Sequence, residues 1–189
     1  MPLFSLFCTI GGENGVAAYG VIMYASMFFI AIFFGYCNGV SPLFSYHFGA
    51  QNHFELRNLL KKSLTIILTL SLTMFVIYEV FAYPVSAAFV GHDAELLKMT
   101  VRAFMIYSTA YLFMGTTVFS SSLFTALGNG EISAVISVLR SLVFELGAVL
   151  LIPLIWNIDG IWVSVAIAEF MAAVVGIIFM IALQKKYQY

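Results

Sequence analysis

Two long stretches of this chain carry no formal charge: nothing between Glu13 and Glu55 is charged, and nothing between Arg102 and Glu131. A bilayer crossing needs about 20 apolar residues, so each gap is longer than one span requires. The composition agrees, with 62% hydrophobic and 9% charged residues and a mean hydropathy of +1.03. Ordinary soluble domains carry roughly 25% charged residues. Lipid gives the backbone no hydrogen-bond partner, which leaves helices or a closed barrel, and no run shows the period-two alternation of barrel strands. The expected fold class is all-α, a polytopic transmembrane helical bundle with the lipid bilayer as its solvent.

Charges, glycines and prolines place about five spans in one transmembrane region covering 1–189: about 16–47, 62–90, 99–127, 132–156 and 161–183. Gly128-Asn129-Gly130 and Asn157-Ile158-Asp159-Gly160 supply two of the breaks. Short turns imply antiparallel neighbours. Arg57, Lys61, Lys62, Lys185 and Lys186 gather at one side, against Lys98 and Arg102 at the other. The positive-inside rule therefore predicts a cytoplasmic C-terminus in a multi-pass plasma-membrane protein. The first span then starts on the outside, and residues 1–12 read as the outer end of a preceding helix. The run Glu55 to Lys62 is expected to lie along the membrane surface, with its basic groups on anionic headgroups.

Several function classes fall away. Eight Lys and Arg residues form no basic stripe, so nucleic acid is not an expected partner. Cys8 and Cys37 lack CxxC spacing and read as buried free thiols, and His47, His53 and His92 lack metal-ligand spacing. Ser120, Ser121 and Ser122 come with no GxSxG or HExxH motif, so no catalytic residue and no metal site is expected. The three serines read instead as backbone partners or as part of a polar path.

Ionisable residues inside spans are the first candidates for function, because each costs about 2.5 to 3.5 kcal/mol at the bilayer centre. Glu79, Arg140, Glu145 and Glu169 qualify. At the α-helical rise, Glu145 and Glu169 lie about 20 Å and about 21 Å from the same side, hence at one depth. Arg140 sits about 7 Å nearer that side and, in an α-helix, roughly 140° round from Glu145, so its expected partner is Glu169. The group reads either as a cation- or proton-binding cluster or as a structural ion pair locking the last two helices. Glu79 is expected to snorkel to the outer interface.

Uncharged candidates are fewer. Asn38 is expected to face another helix or a cavity, and Gly35 with Gly39 has the GxxxG spacing of closely packed helices, just above Pro42. Tyr111 and Met114, with Met23, Met27, Phe34 and Phe119, lie at depths where aromatic and thioether groups line a cavity. Tyr78, Tyr83, Trp156 and Trp162 are expected in interfacial belts.

Ala17-Ala18-Tyr19-Gly20 followed by Ser41-Pro42-Leu43-Phe44-Ser45-Tyr46-His47-Phe48-Gly49-Ala50 resembles the eighth transmembrane helix of multidrug and toxic compound extrusion (MATE) transporters. The resemblance continues through Thr125-Ala126-Leu127-Gly128-Asn129-Gly130, Leu139-Arg140, Asp159-Gly160-Ile161-Trp162 and Ala168-Glu169, and is nearest to the MepA-like group of bacterial exporters. It implies helices eight to twelve of a twelve-helix, two-lobe fold, which makes the chain an incomplete second lobe. It further implies efflux of cationic or amphipathic small-molecule drugs by antiport with Na+ or H+, with no bound cofactor and with a missing N-terminal lobe as partner. The third span departs from the family in having no acidic residue from Phe104 to Gly130, so the carboxylate that binds the coupling ion there in some members is absent. The alternative expectation is a transport-inactive membrane fragment that needs a separate first lobe, because alternating access requires two bundles.

Overall fold

The computed structural model describes residues 12–189; residues 1–11, with Cys8 and nearly all of the segment assigned above to a preceding helix, lie outside that range. Helix α1 spans Gly12–Gly49 and α2 His53–Val90, each 38 residues. Helices α3 (Ala94–Ser108) and α4 (Tyr111–Ala126) form one pair bent by 45° across Thr109 and Ala110. Helix α5 (Gly130–Val138) passes through a π-helical segment, Leu139–Glu145, into α6 (Leu146–Leu151), and α7 runs Pro153–Tyr187. Trp156 and Asn157 leave helical geometry, with Asn157 at φ 50, so the last two long apolar segments are Gly130–Asn157 and Asp159–Tyr187. Among the described residues four helices are long and apolar enough to cross a membrane, and the bent pair, taken as one span, makes five.

Caps explain the short turns. Asn52 Oδ1 accepts the Glu55 amide at 3.2 Å, Asp93 Oδ1 accepts those of Glu95 and Leu96 at 2.9 and 3.1 Å, and Asn129 Oδ1 accepts that of Ile132 at 3.3 Å. Each satisfies orphan donors at a helix start. Because α2 begins at His53 and continues unbroken, Glu55 to Lys62 is its first turns rather than a separate surface segment. At 1.5 Å per residue α2 is about 57 Å long, well beyond a hydrocarbon core of about 30 Å.

Helix α2 also shows how the bundle packs. Its inward stripe is Ser63, Ile67, Ser71, Met74, Tyr78, Ala82 and Ser86, at spacings of three and four, whereas Leu68, Leu72, Val76 and Val80 point outward. Small and hydroxyl-bearing residues inside with leucines outside is the pattern of helices that meet in lipid. The outward hydroxyls bond within the helix: Thr65, Thr69 and Thr73 donate to the carbonyls of Lys61, Thr65 and Thr69 at 3.0, 2.8 and 2.8 Å.

The core gathers four helices around Tyr78. Its ring lies 5.0 Å from Phe29, 4.6 Å from Phe104 and 4.9 Å from Tyr111, and its hydroxyl donates to Ile22 O at 3.3 Å. Tyr78 and Trp162 are each 1% exposed, so neither belongs to an interfacial belt, while Tyr83 and Trp156 are exposed. The belt expectation failed for the first two because composition marks an aromatic as amphipathic without saying which helix face carries it. One end of the bundle is closed by Tyr187, which receives Asn129 Nδ2–H at 2.6 Å and packs on Phe48 and Phe124.

Close approach depends on glycines that the sequence reading passed over. A Cβ on Gly115 would collide with Ser71 Oγ and come within 2.7 Å of Phe33, and one on Gly176 would collide with Ser120. At Gly35 and Gly39, the GxxxG pair, a Cβ meets open space among the described residues. Gly115→Val should therefore lower the stability of the purified chain by about 1–3 kcal/mol through overpacking. Gly35→Val should leave it unchanged. Thermal unfolding in detergent, followed by size-exclusion chromatography, measures both.

Candidate functional site

The chemistry concentrates where α1, α4, α5 and the π-helical segment meet. A cavity of about 280 Å³ opens there. Asn38, Ser41, Ser121, Ser122, Ser137 and Arg140 give it its polar wall, and Phe34, Val118 and Ile136 its apolar one. Helix α1 runs through Pro42 without interruption, and a proline at that position removes the hydrogen bond that the Asn38 carbonyl would otherwise accept. Asn38 thus brings an exposed amide and a backbone carbonyl without its helical donor to the cavity.

Hydroxyls knit α4 to α5 beside it. Ser121 Oγ lies 2.9 Å from Ser133 Oγ and 3.0 Å from Ser137 Oγ, and Thr125 Oγ1 donates to Ser133 Oγ at 2.7 Å. Asn38, Ser137 and Ser141 remain exposed. Polar groups at membrane depth face water or protein rather than acyl chains. This side of the bundle is therefore the one turned away from lipid, and the leucine stripe of α2 is the one turned towards it.

Arg140 lines the cavity. Its Nε and Nη2 both donate to Glu169 Oε1, at 2.8 and 2.5 Å, tying the π-helical segment to α7. Two donors on one oxygen leave Glu169 Oε2 buried without a hydrogen-bond partner. Thr117 Oγ1 reaches the Glu169 carbonyl at 3.4 Å, so α4 touches the same position. Glu145 is half-buried and interacts electrostatically with Arg140. The straight-helix angle between Arg140 and Glu145 does not apply: both sit in the π-helical segment, whose i→i+5 bonds bring residues five apart round to nearly the same face. The result is one guanidinium among two carboxylates.

The remaining residues named from sequence are placed elsewhere. Tyr111 and Met114 are fully buried in the core around Tyr78 and do not line the cavity, and Phe119 packs against Phe44. Met27 points outward, while Phe34 alone of that set reaches the cavity. Cys37 is a buried free thiol at the cavity wall. Glu79 is half-buried, and its Oε1 lies 2.5 Å from Ser108 Oγ, at the last residue before the bend. The Ser137 and Ser141 positions had no sequence signal beyond being hydroxyls in an apolar run.

A family model described as MatE matches residues 3–151. The chain belongs to the MatE family. Multidrug export protein MepA of Staphylococcus saprophyticus subsp. saprophyticus is 23% identical over 190 residues, covering 97% of this chain and 40% of that protein. MepA of Staphylococcus aureus is 21% identical over 187 residues with the same coverage. This MatE chain thus spans about 40% of the length of the curated relatives it matches, as the C-terminal portion of the fold. Among solved structures, a MATE protein in the straight conformation superposes with a TM-score of 0.90 at 21% identity, over 98% of this chain and 42% of that one. The Vibrio cholerae MATE transporter VcmN in its bent form gives 0.86 at 20% identity, over 98% and 43%.

A double-mutant cycle tests the energetics of the Arg140 contact. The Glu169 side chain is 5% exposed and that of Arg140 22%, so removing one partner strands a buried charge. Arg140→Met alone should cost about 3–5 kcal/mol, while Arg140→Met with Glu169→Leu should recover most of it. Chemical unfolding in detergent of the two single variants and the double variant reads the coupling.

Proposed function

We propose that this chain forms the second-lobe portion of a plasma-membrane multidrug exporter that moves cationic or amphipathic small molecules against an inward flow of H+ or Na+. The observation that carries the reading is the pairing of Glu169 with Arg140, a residue that lines a polar, lipid-averted cavity and also interacts with Glu145. One guanidinium and two carboxylates leave one negative charge without a counterpart, and an added proton or Na+ balances it. Glu169 Oε2, buried and unpaired, is the oxygen left to receive that ion. Phe34 and the hydroxyl groups around the cavity suit an amphipathic guest. Antiport then follows if ion and drug occupy the cluster by turns, each favouring a different arrangement of the lobes. The lysine pair near the C-terminus supports a cytoplasmic end.

The second reading is a membrane part that transports nothing until a separate first lobe joins it. The observation favouring it is the share of the relatives' length that the chain covers. Expression in a host lacking its own drug exporters, with a cationic dye and an imposed pH or Na+ gradient, separates the two. On the first reading dye accumulation falls below the empty-vector level, and Glu169→Gln restores it to that level. Accumulation equal to the vector with both gradients supports the second.

A further inference from the structure

A second cavity lies on the lipid side of the bundle, apart from the polar one. Helices α2 and α7 both pack on α4, and between them runs a groove of about 350 Å³. Leu60, Leu64 and Leu68 form one wall, Ile177 and Ile181 the other, and Thr116 of α4 lies between them. Leu68 is 58% and Ile181 68% exposed, so the groove opens outward, beside the leucine stripe that meets lipid. At 1.5 Å per residue, Leu60 to Leu68 carries it about 12 Å along the helix.

One end of the groove is polar. Gln184 lines it, and next to Gln184 in space the chain turns through the left-handed region at Gln188, φ 57. That turn folds Tyr189 back against the groove, where its O–H donates to Met180 O at 2.9 Å and its ring stacks on Tyr187. The same end holds most of the positive charge. At about 100° per residue, Arg57 falls within the arc of α2 spanned by Leu60, Leu64 and Leu68, and Lys61 about 20° outside it. Lys185 stands about 40° from the groove-lining arc of α7, whereas Lys62 is turned about 120° away from the arc of α2. Arg57, Lys61 and Lys185 are exposed and make no ion pair among the described residues. The acids at this end, Glu55 and Glu131, are outnumbered by five basic residues.

An apolar slot facing acyl chains, with unpaired cations at its polar mouth, matches a molecule that is oily along its length and negative at its head. A zwitterionic lipid brings a cation of its own to that mouth. A second copy of this chain, docked face to face by a two-fold axis, brings the same three cations against these three. We propose that this groove is a binding site for an anionic phospholipid, with an acyl chain between α2 and α7 and the phosphate at Arg57, Lys61 and Lys185. The proposal concerns lipid binding and stands whether or not the chain transports.

Native mass spectrometry of the full chain, released from detergent micelles after titration with dioleoyl phosphatidylglycerol or dioleoyl phosphatidylcholine, reads the binding directly. One phosphatidylglycerol should be retained at a concentration about tenfold or more below that needed for phosphatidylcholine, since each basic residue at the surface favours an anionic headgroup about fivefold. Arg57→Gln with Lys61→Gln should remove most of that preference, and Lys62→Gln should keep it. Ile181→Trp, at the rim, should weaken phosphatidylglycerol binding with every charge in place, whereas Ile178→Trp, at an exposed position of α7 outside the groove, should not. Excess inorganic phosphate should leave the lipid bound. Equal affinity for the two lipids, a loss in Lys62→Gln as large as in the double variant, or displacement by inorganic phosphate overturns the headgroup site. Equal binding by wild type and Ile181→Trp, or a lipid-free dimer that Ile181→Trp breaks, overturns the acyl groove.

Discussion

Within the bilayer no water is at hand to satisfy a stray donor or acceptor, and that single restriction organises this bundle. Threonines on the lipid face of α2 fold their hydroxyls back onto the preceding turn. Serines turn inward, where they let helices approach or bond to one another. Charged groups that remain at depth are coupled across helices, as Arg140 is to Glu169. A surface that keeps its amides and hydroxyls uncovered is by the same rule not a lipid surface, which is how the cavity side is told from the leucine side.

Much of this was legible in the chain and some was not. Gaps between charges located the long helices, because the cost of a charge in hydrocarbon is large enough to read directly from sequence. Counting rise per residue placed Glu145 and Glu169 at one depth and directed Arg140 to Glu169, the partner it has in the structure. Counting could not foresee where the helix departs from α geometry: Leu139–Glu145 has no composition that marks it as π-helical. No spacing pairs Glu79 with Ser108, which lies 29 residues away at a bend that neither glycine nor proline announces. Gly115, alone in its helix, and Gly176, far along α7 from Gly160, form no spacing motif, whereas the conspicuous GxxxG pair meets open space among the described residues. Spacing along one helix cannot say which face its neighbour occupies.

Helix α4 is the element on which these features converge. Gly115 seats it against α1 and α2, Thr117 reaches the Glu169 backbone, and Ser121 with Thr125 joins it to α5. Its first residue, Tyr111, belongs to the aromatic core, and the bend just before it is contacted from α2. A tilt of α4 would therefore be felt at the cavity, at the Arg140 pair and at the bend together. The side chains that fasten it are small or hydroxylic, so the contacts are close and short-ranged rather than a broad oily interface.

The π-helical segment has a further consequence for how the chain tolerates change in length. Such a segment holds a surplus residue within its turns. Deleting one position between Leu139 and Glu145 would let the helix close as an ordinary α-helix and leave the segments on either side close to their present orientation, whereas a deletion elsewhere in the span would swing everything beyond it by about 100°. With the deletion inside the π-helical segment, Ala148, whose carbonyl receives Ser164 Oγ–H at 3.1 Å from the last helix, would keep that neighbour. A one-residue deletion is thus absorbed in this stretch and becomes a rotation anywhere else in the span.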